Sequence, residues 1–133
     1  MPFRFAFLTI ALVLVTHVIA ITTGLYFSVF EFDSLMHFSG GFAIGMLGLA
    51  IHHHMTDKHH LAGHPWWYHT LFVVGFTLLI AVAWEFHEYI LDNTVGARFD
   101  WPKSQVSIGD TMLDLFLGGI GGFVALCLFR KKL

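Results

Sequence analysis

Four long apolar runs limit what this chain of 133 residues can fold into. They lie at about 5–30, 34–54, 67–91 and 108–129. Each approaches or exceeds the ~20 residues that a helix needs to cross a hydrocarbon core about 30 Å thick. Only helices and closed barrels can span lipid, and these runs lack the alternation of barrel strands. The sequence therefore predicts one all-α integral membrane domain over 1–133, an antiparallel bundle of four transmembrane helices.

The composition supports a membrane protein, because 56% of the residues are apolar and only 12% are charged. A soluble protein this small would have to cover its surface with too few charges. The lipid bilayer is therefore the expected partner. The net charge of −2 and the lack of a basic stripe argue against nucleic acid.

The N-terminal stretch "MPFRFAFLTIALVLVTHVIA" has an alternative interpretation as a signal peptide. Its apolar run continues through "ITTGLYFSVF", so a retained transmembrane helix accounts for more of the sequence. The positive charges then set the orientation, because cytoplasmic loops carry an excess of Lys and Arg. Arg98 and Lys103 lie on one side, and five basic residues lie on the other, at Arg4, Lys58, Arg130, Lys131 and Lys132. This bias predicts that both termini are cytoplasmic.

Two of the runs form a weak internal repeat. "DSLMHFSGGFAIG" (33–45) aligns without gaps to "DTMLDLFLGGIGG" (110–122). The alignment matches Gly41 with Gly118 and sets His37 opposite Asp114. Two helical hairpins related by a pseudo-two-fold axis would give this pattern, and so would chance similarity between two Gly-rich membrane helices.

Ionisable residues in three of the runs are predicted to gather at the outer end of the bundle. At about 100° per residue, the acidic residues of the second and fourth helices share a face with the small residues. Small residues let membrane helices pack closely, so these faces should point into the bundle. The predicted cluster is Asp33, His37, Glu85, Glu88, Asp92, Asp110 and Asp114.

A charge held in hydrocarbon costs about 2.5–3.5 kcal/mol on insertion scales. Six carboxylates and one imidazole cannot all pair with one another while ionised. Either some carboxyl groups are protonated, or a cation neutralises them. Carboxylate oxygens with an imidazole suit a divalent metal ion such as Mg²⁺, Mn²⁺, Zn²⁺ or Fe²⁺.

Several of these residues also have a structural interpretation. Asp33 suits the N-cap of the second helix, and Asp110 suits a capping box with Ser107. Asp92 could simply end the third helix facing water. The remaining four, His37, Glu85, Glu88 and Asp114, lie at least one turn inside their apolar runs, where capping does not apply.

Histidines also occur outside this cluster. A secondary cytoplasmic set lies around the connection between the second and third helices, at His52, His53, His54, His59, His60 and His64, within a segment (52–69) that contains seven histidines. Its spacing fits no defined zinc motif, which favours interfacial histidines over a metal or pH sensor. His17, alone within the first run, is expected to form a hydrogen bond inside the bundle rather than to bind a ligand.

The three polar motifs "DSLMHFSGGFAIG", "WEFHEY" and "DTMLDLFLGGIGG" together resemble the signature of the YjdF-like uncharacterised inner-membrane proteins. A more distant resemblance is to VanZ-like proteins. The resemblance covers the second to fourth helices and implies a bacterial inner-membrane location. It also implies a shared polar site at matching positions, which are Asp33, His37, Glu85, Glu88, Asp110 and Asp114.

Three functions remain open from the sequence. A metal held at the cluster could act on a lipid-linked or phosphate-bearing substrate at the outer leaflet. Intramembrane carboxylates could instead relay protons or metal ions across the membrane. A chain this small could also be an accessory subunit of a homo-oligomer or a larger membrane complex.

Overall fold

The computed structural model describes residues 2–59 and 65–129, without the side chains of 57–59. Its helices are α1 (Phe3–Thr23), α2 (Leu25–Ser28), α3 (Phe32–His59), α4 (Trp66–Leu91), α5 (Ala97–Phe99) and α6 (Ile108–Phe129). A π-helical turn at Asp92–Gly96 joins α4 to α5. The described residues form no strand, and four helices are long and apolar enough to span a membrane. The predicted all-α membrane class with four spans is confirmed.

The first span is shorter than the predicted 5–30, because α1 ends at Thr23. Gly24 follows in the left-handed conformation, with φ of 74°, and its N–H bonds to carbonyl groups of the last turn. Glycine adopts this conformation without a steric penalty, which makes it a common helix stop. The chain then turns through α2, which carries Tyr26 back towards α1.

The third span is longer than the predicted 67–91. The helix continues from α4 through the π-helical turn and α5, so that the span covers Trp66–Phe99. It ends at Asp100, which adopts a left-handed φ of 52°. The fourth helix has the predicted bounds of 108–129.

The centre of the bundle is α3, which packs against α1, α4 and α6. Its closest neighbour is α6, which runs parallel to it. A Cβ atom built on Gly41 would overlap the backbone of Gly118, and one built on Gly45 would lie 2.7 Å from the Cα of Gly122. The predicted role of these glycines as packing residues is confirmed. Gly40 differs, because a Cβ atom there would meet no atom within 4 Å.

The two ends of the bundle have different chemistry. We call the end that holds Asp33, Glu88 and Asp114 the acidic end, and the end that holds His52 and His69 the histidine end. The Phe3 ring lies 6.0 Å from the His54 ring, which places the start of α1 at the histidine end. The parallel course of α3 and α6 brings the end of α6 there too. Its assignment to the cytoplasm stays a prediction from the positive charges.

Candidate functional site

His37 lies at the centre of the acidic end and faces carboxylates on both sides of its ring. Its Nε2 atom is 3.5 Å from Asp33 Oδ1 and 3.9 Å from Asp114 Oδ2. Its Nδ1 atom is 3.8 Å from Glu85 Oε1. The imidazole is 9% exposed, so these groups meet in a largely buried space.

The glycine contacts explain how these side chains come together. Asp33 and His37 are four residues apart on α3 and therefore share one face of that helix. Asp114 lies on α6, one turn before Gly118, which touches Gly41 one turn after His37. Close approach of two helix backbones at small residues brings the preceding turns within side-chain reach.

Glu85 enters the cluster from α4 and is 6% exposed. Its Oε2 atom accepts a hydrogen bond of 3.0 Å from the Gln105 side chain. Its Oε1 atom is buried and accepts no hydrogen bond. A buried polar atom without a partner carries the full cost of losing its water. This oxygen lies 3.8 Å from His37 Nδ1 and could serve as a ligand atom for a cation.

Glu88 lies one turn further along α4 and is partly buried. Its Oε1 atom accepts a hydrogen bond of 3.1 Å from Trp84 Nε1. This bond leaves the other carboxylate oxygen available to a ligand. Trp84 thereby orients the Glu88 carboxylate.

Two sets of potential metal ligands share the imidazole, namely Asp33–His37–Asp114 and His37–Glu85–Glu88. In each set one ligand atom from every residue lies within 4.8 Å of the others. Bonds of about 2.1 Å to Mg²⁺ and of about 2.3–2.6 Å to Ca²⁺ place two ligand atoms of one ion at most about 4 Å and about 5 Å apart, respectively. Both sets lie within the limit for the larger ion, and a smaller ion would draw the side chains closer together. In the described part of the chain, no Lys or Arg forms an ion pair with these carboxylates.

Two predicted members of the cluster have other partners. Asp92 accepts hydrogen bonds from the backbone N–H groups of Ser104 and Gln105, at 3.1 and 2.9 Å. It is 8% exposed and fixes the loop before α6, so the alternative of a helix end facing water is wrong. Its role is to hold Gln105 beside Glu85.

Asp110 has the capping role that the sequence predicts. Its backbone N–H donates to Ser107 Oγ at 3.1 Å, and its carboxylate accepts the Val106 N–H at 3.3 Å. It joins neither ligand set. Asp33, in contrast, lies in the first turn of α3 after Phe32 and not at the N-cap, and its carboxylate faces His37.

Sequence reasoning missed Gln105, Trp84 and Tyr26. The spacing of Trp84 and Glu88, four apart on one helix, was a usable signal. Gln105 lies in a loop, and nothing in its sequence neighbourhood marks it. Tyr26 is brought to the site only by the helix stop at Gly24.

Tyr26 closes the acidic end beside α1, and its hydroxyl lies 2.6 Å from His17 Nδ1. The expected hydrogen bond of His17 is thereby confirmed. Burial raises the pKa of the Tyr26 phenol, and the nearby carboxylates of Asp33 and Glu88 raise it further. The phenol therefore keeps its proton and donates it to Nδ1, which places the imidazole proton of neutral His17 on Nε2.

The secondary histidine set lies at the other end of the bundle. His52 is buried, and its Nε2 atom lies 2.7 Å from His69 Nδ1. His53 is partly buried and His54 is exposed. The predictions for His60 and His64, and for the side chain of His59, concern positions outside the described residues. Within the described part, the groups of three or more metal-ligating side chains are those around His37.

Four helices that are long and apolar enough to span a membrane, with carboxylate and imidazole side chains gathered at one end of the bundle, define a small membrane protein with a candidate polar site. The chain belongs to a family of predicted membrane proteins (DUF2238), whose model matches residues 3–132. No curated protein and no solved structure matches the chain.

Proposed function

We propose that the cluster around His37 is a divalent-cation site that opens towards the outer surface of a bacterial inner membrane. The observation that carries this proposal is the orphaned Oε1 atom of Glu85, buried against an imidazole that also faces Asp33 and Asp114. A cation there would supply the missing partner and offset the repulsion between the carboxylates.

The bound cation would present an open coordination position to a phosphate-bearing headgroup. Each ligand set supplies two carboxylate oxygens and the shared imidazole nitrogen, which makes three ligand atoms. Because Mg²⁺ takes six ligands in an octahedral arrangement, such a set would leave positions for water or a phosphoryl oxygen. Such an ion polarises a phosphoryl oxygen as a Lewis acid. The resemblance to YjdF-like inner-membrane proteins adds the location and not the reaction.

Transport across the bundle fits the packing less well. A route from His37 towards the histidine end along α3 and α6 would pass the contact between Gly41 and Gly118. The contact between Gly45 and Gly122 closes the same seam one turn further on. We therefore favour a site that is loaded from the acidic end over a pathway through the bundle.

The test is metal content and affinity in purified protein. Protein in detergent is stripped with chelator and titrated with Mn²⁺, and the free ion is followed by its electron paramagnetic resonance signal. We expect stoichiometric binding that weakens at least tenfold in Asp114→Asn, because even an outer-shell partner of a metal is worth about 10–100-fold in affinity.

Asp110→Asn is the matched control. It removes the same charge one turn away on the same helix, from a carboxylate that accepts a backbone N–H bond outside the ligand sets. Mn²⁺ affinity should change by less than in Asp114→Asn. Folded wild-type protein that binds no divalent ion among Mg²⁺, Mn²⁺, Zn²⁺ and Fe²⁺ would end the proposal.

A further inference from the structure

A crevice of about 280 Å³ begins at the cluster and runs along α3, between α1 and α4. Asp33, His37 and Glu88 line its polar end. Aliphatic side chains dominate the rest of its wall, at Ile10, Val13, Leu14, Ile44, Ile80 and Ala81. An apolar cavity of roughly 150 Å³ is enough to take up benzene, so this crevice has room for a longer apolar group.

The crevice is about as long as the hydrocarbon part of one leaflet is thick, and it runs in the direction of a lipid chain. From His37 to Ile44 it follows α3 for seven residues, or about 10 Å at 1.5 Å per residue. From Glu88 to Thr77 it follows α4 for about 16 Å. Half of a hydrocarbon core of about 30 Å is about 15 Å. A lipid of the leaflet at the acidic end also has its polar group at that end and its chain pointing towards the bundle centre.

The walls favour an apolar chain over water. A buried water needs two to four polar partners, and the aliphatic part of the crevice offers few of them. Leu14 and Ile80 line the crevice and are 48% and 37% exposed, so it is open to the surrounding membrane. Gly40 also lines it, and a Cβ atom built there would meet no atom of another turn or helix within 4 Å. A larger residue there would have closed the crevice without disturbing the α3–α6 contact.

We propose that the crevice holds one apolar chain of a lipid whose phosphate headgroup binds at the cation beside His37. The inference rests on the proposed cation site, because the carboxylates would repel a phosphate unless a metal ion lay between them. The headgroup and the chain thus bind to adjoining parts of one site. The substrate class that follows is a membrane phospholipid, and its simplest member is a single-chain phosphate monoester.

The experiment measures the binding of three probes, added in the same detergent micelles, to Mn²⁺-loaded full-length protein. Oleoyl lysophosphatidic acid has both chain and phosphate, mono-oleoyl glycerol has only the chain, and glycerol phosphate has only the phosphate. We expect lysophosphatidic acid to bind at least tenfold more tightly than either of the others. Removing Mn²⁺ should weaken the binding of lysophosphatidic acid and leave the affinity for mono-oleoyl glycerol unchanged.

Two variants fill the crevice from opposite walls. Gly40→Leu fills it from α3, and Ile80→Trp fills it from α4. Each variant should weaken the binding of lysophosphatidic acid at least tenfold, since excluding two methylene groups from the crevice lowers the affinity by about that factor. Gly75→Leu is the matched control, because Gly75 also has open space at its Cβ position but does not line the crevice. Gly75→Leu should bind the probe as the wild type does.

The outcomes separate the two proposals. Wild-type protein that binds no metal rejects the cation site. Suppose instead that the wild type binds metal and that Gly40→Leu or Ile80→Trp also retains it. If that variant then binds lysophosphatidic acid with wild-type affinity, the crevice inference alone is rejected. Equal affinity for glycerol phosphate and lysophosphatidic acid would identify free phosphate as the ligand and would also overturn it.

Discussion

Gly41 on α3 lies directly against Gly118 on α6, its counterpart in the alignment of 33–45 with 110–122. The next aligned pair, Gly45 and Gly122, is also in contact, and the preceding pair, His37 and Asp114, faces across 3.9 Å. The two members of each glycine pair are not equivalent, because a Cβ atom on Gly118 would face Ala81 of α4 and one on Gly122 would face Thr77 of α4. The repeat therefore marks a run of close contacts between α3 and α6, and its interpretation as a pseudo-two-fold stays a prediction.

A methyl group at Gly41 should therefore damage the fold. Gly41→Ala would place a Cβ atom on the Gly118 backbone, and overpacking in a tight interior costs about 1–3 kcal/mol or more. We expect a free energy of unfolding lower by about 2 kcal/mol or more. Gly40→Ala, one residue away in open space, should be neutral or stabilise the helix by up to about 1 kcal/mol. Thermal unfolding in detergent compares the two, and equal stability would refute the close contact.

The sequence could predict the spans and most of the cluster, because both follow from short periodic patterns. Hydropathy locates four runs, and helical periodicity places His37, Glu85, Glu88 and Asp114 a turn or more inside them. The role of Asp92 depends on a loop of irregular backbone, which periodicity does not describe, whereas the motif "SIGD" is enough to predict the capping role of Asp110. Asp92 bonds to residues twelve and thirteen positions away, and that distance is set by tertiary structure alone.

The crevice could not be predicted for a related reason. Gly40 and Gly41 are adjacent, and both fall on the small-residue face of the second span. One of them touches α6 and the other faces empty space. The difference depends on where α1 and α4 lie around α3, and a single helix carries no information about its neighbours.

Gln105 is expected to act through Glu85. Its side-chain N–H donates to Oε2 at 3.0 Å and thereby aims Oε1 at the space beside His37. Gln105→Ala should lower the affinity for Mn²⁺ about 10–100-fold, which is the usual range when a residue that orients a metal ligand is lost. Val106→Ala changes an exposed residue of the same loop and should leave the affinity unchanged. Wild-type Mn²⁺ affinity in Gln105→Ala would show that Glu85 needs no such orientation.

Asp92 is expected to hold the loop before α6 in place. Each hydrogen bond to a charged group contributes about 1.5–3 kcal/mol, and Asp92 accepts two from this loop. Asp92→Asn should therefore lower the free energy of unfolding by about 2 kcal/mol and speed amide hydrogen exchange at residues 104 and 105. Asp100→Asn makes the same chemical change at an exposed position and keeps a residue that tolerates the left-handed backbone. Unchanged exchange at 104 and 105 in Asp92→Asn would contradict the anchoring role.

The Tyr26 phenol should ionise later than an ordinary tyrosine. Burial, followed by the charges of Asp33 and Glu88, raises its pKa above the usual value of about 10. The difference in phenolate absorbance between wild type and Tyr26→Phe should therefore stay near zero at pH 10 in the folded protein. In denaturant the same difference should titrate near pH 10.

The raised pKa of Tyr26 also sets the direction in which the stability of the fold changes with pH. Above about pH 10 the unfolded chain loses the Tyr26 proton while the folded chain keeps it. The contribution of Tyr26 to the free energy of unfolding is therefore complete below that pH and declines as the pH rises. A folded-state titration that matches the denatured one would place the phenol in water and remove its bond to His17.

The orientation of the bundle decides which leaflet can reach the site. The Lys and Arg bias predicts the histidine end in the cytoplasm and the loop of Val106 outside. In a Cys127→Ser background, Val106→Cys should react with a membrane-impermeant maleimide in intact spheroplasts, because this position is 77% exposed. Met55→Cys, 47% exposed near the histidine end, should react only after permeabilisation. The reverse pattern would turn the acidic end, and with it the crevice, towards lipids of the cytoplasmic leaflet.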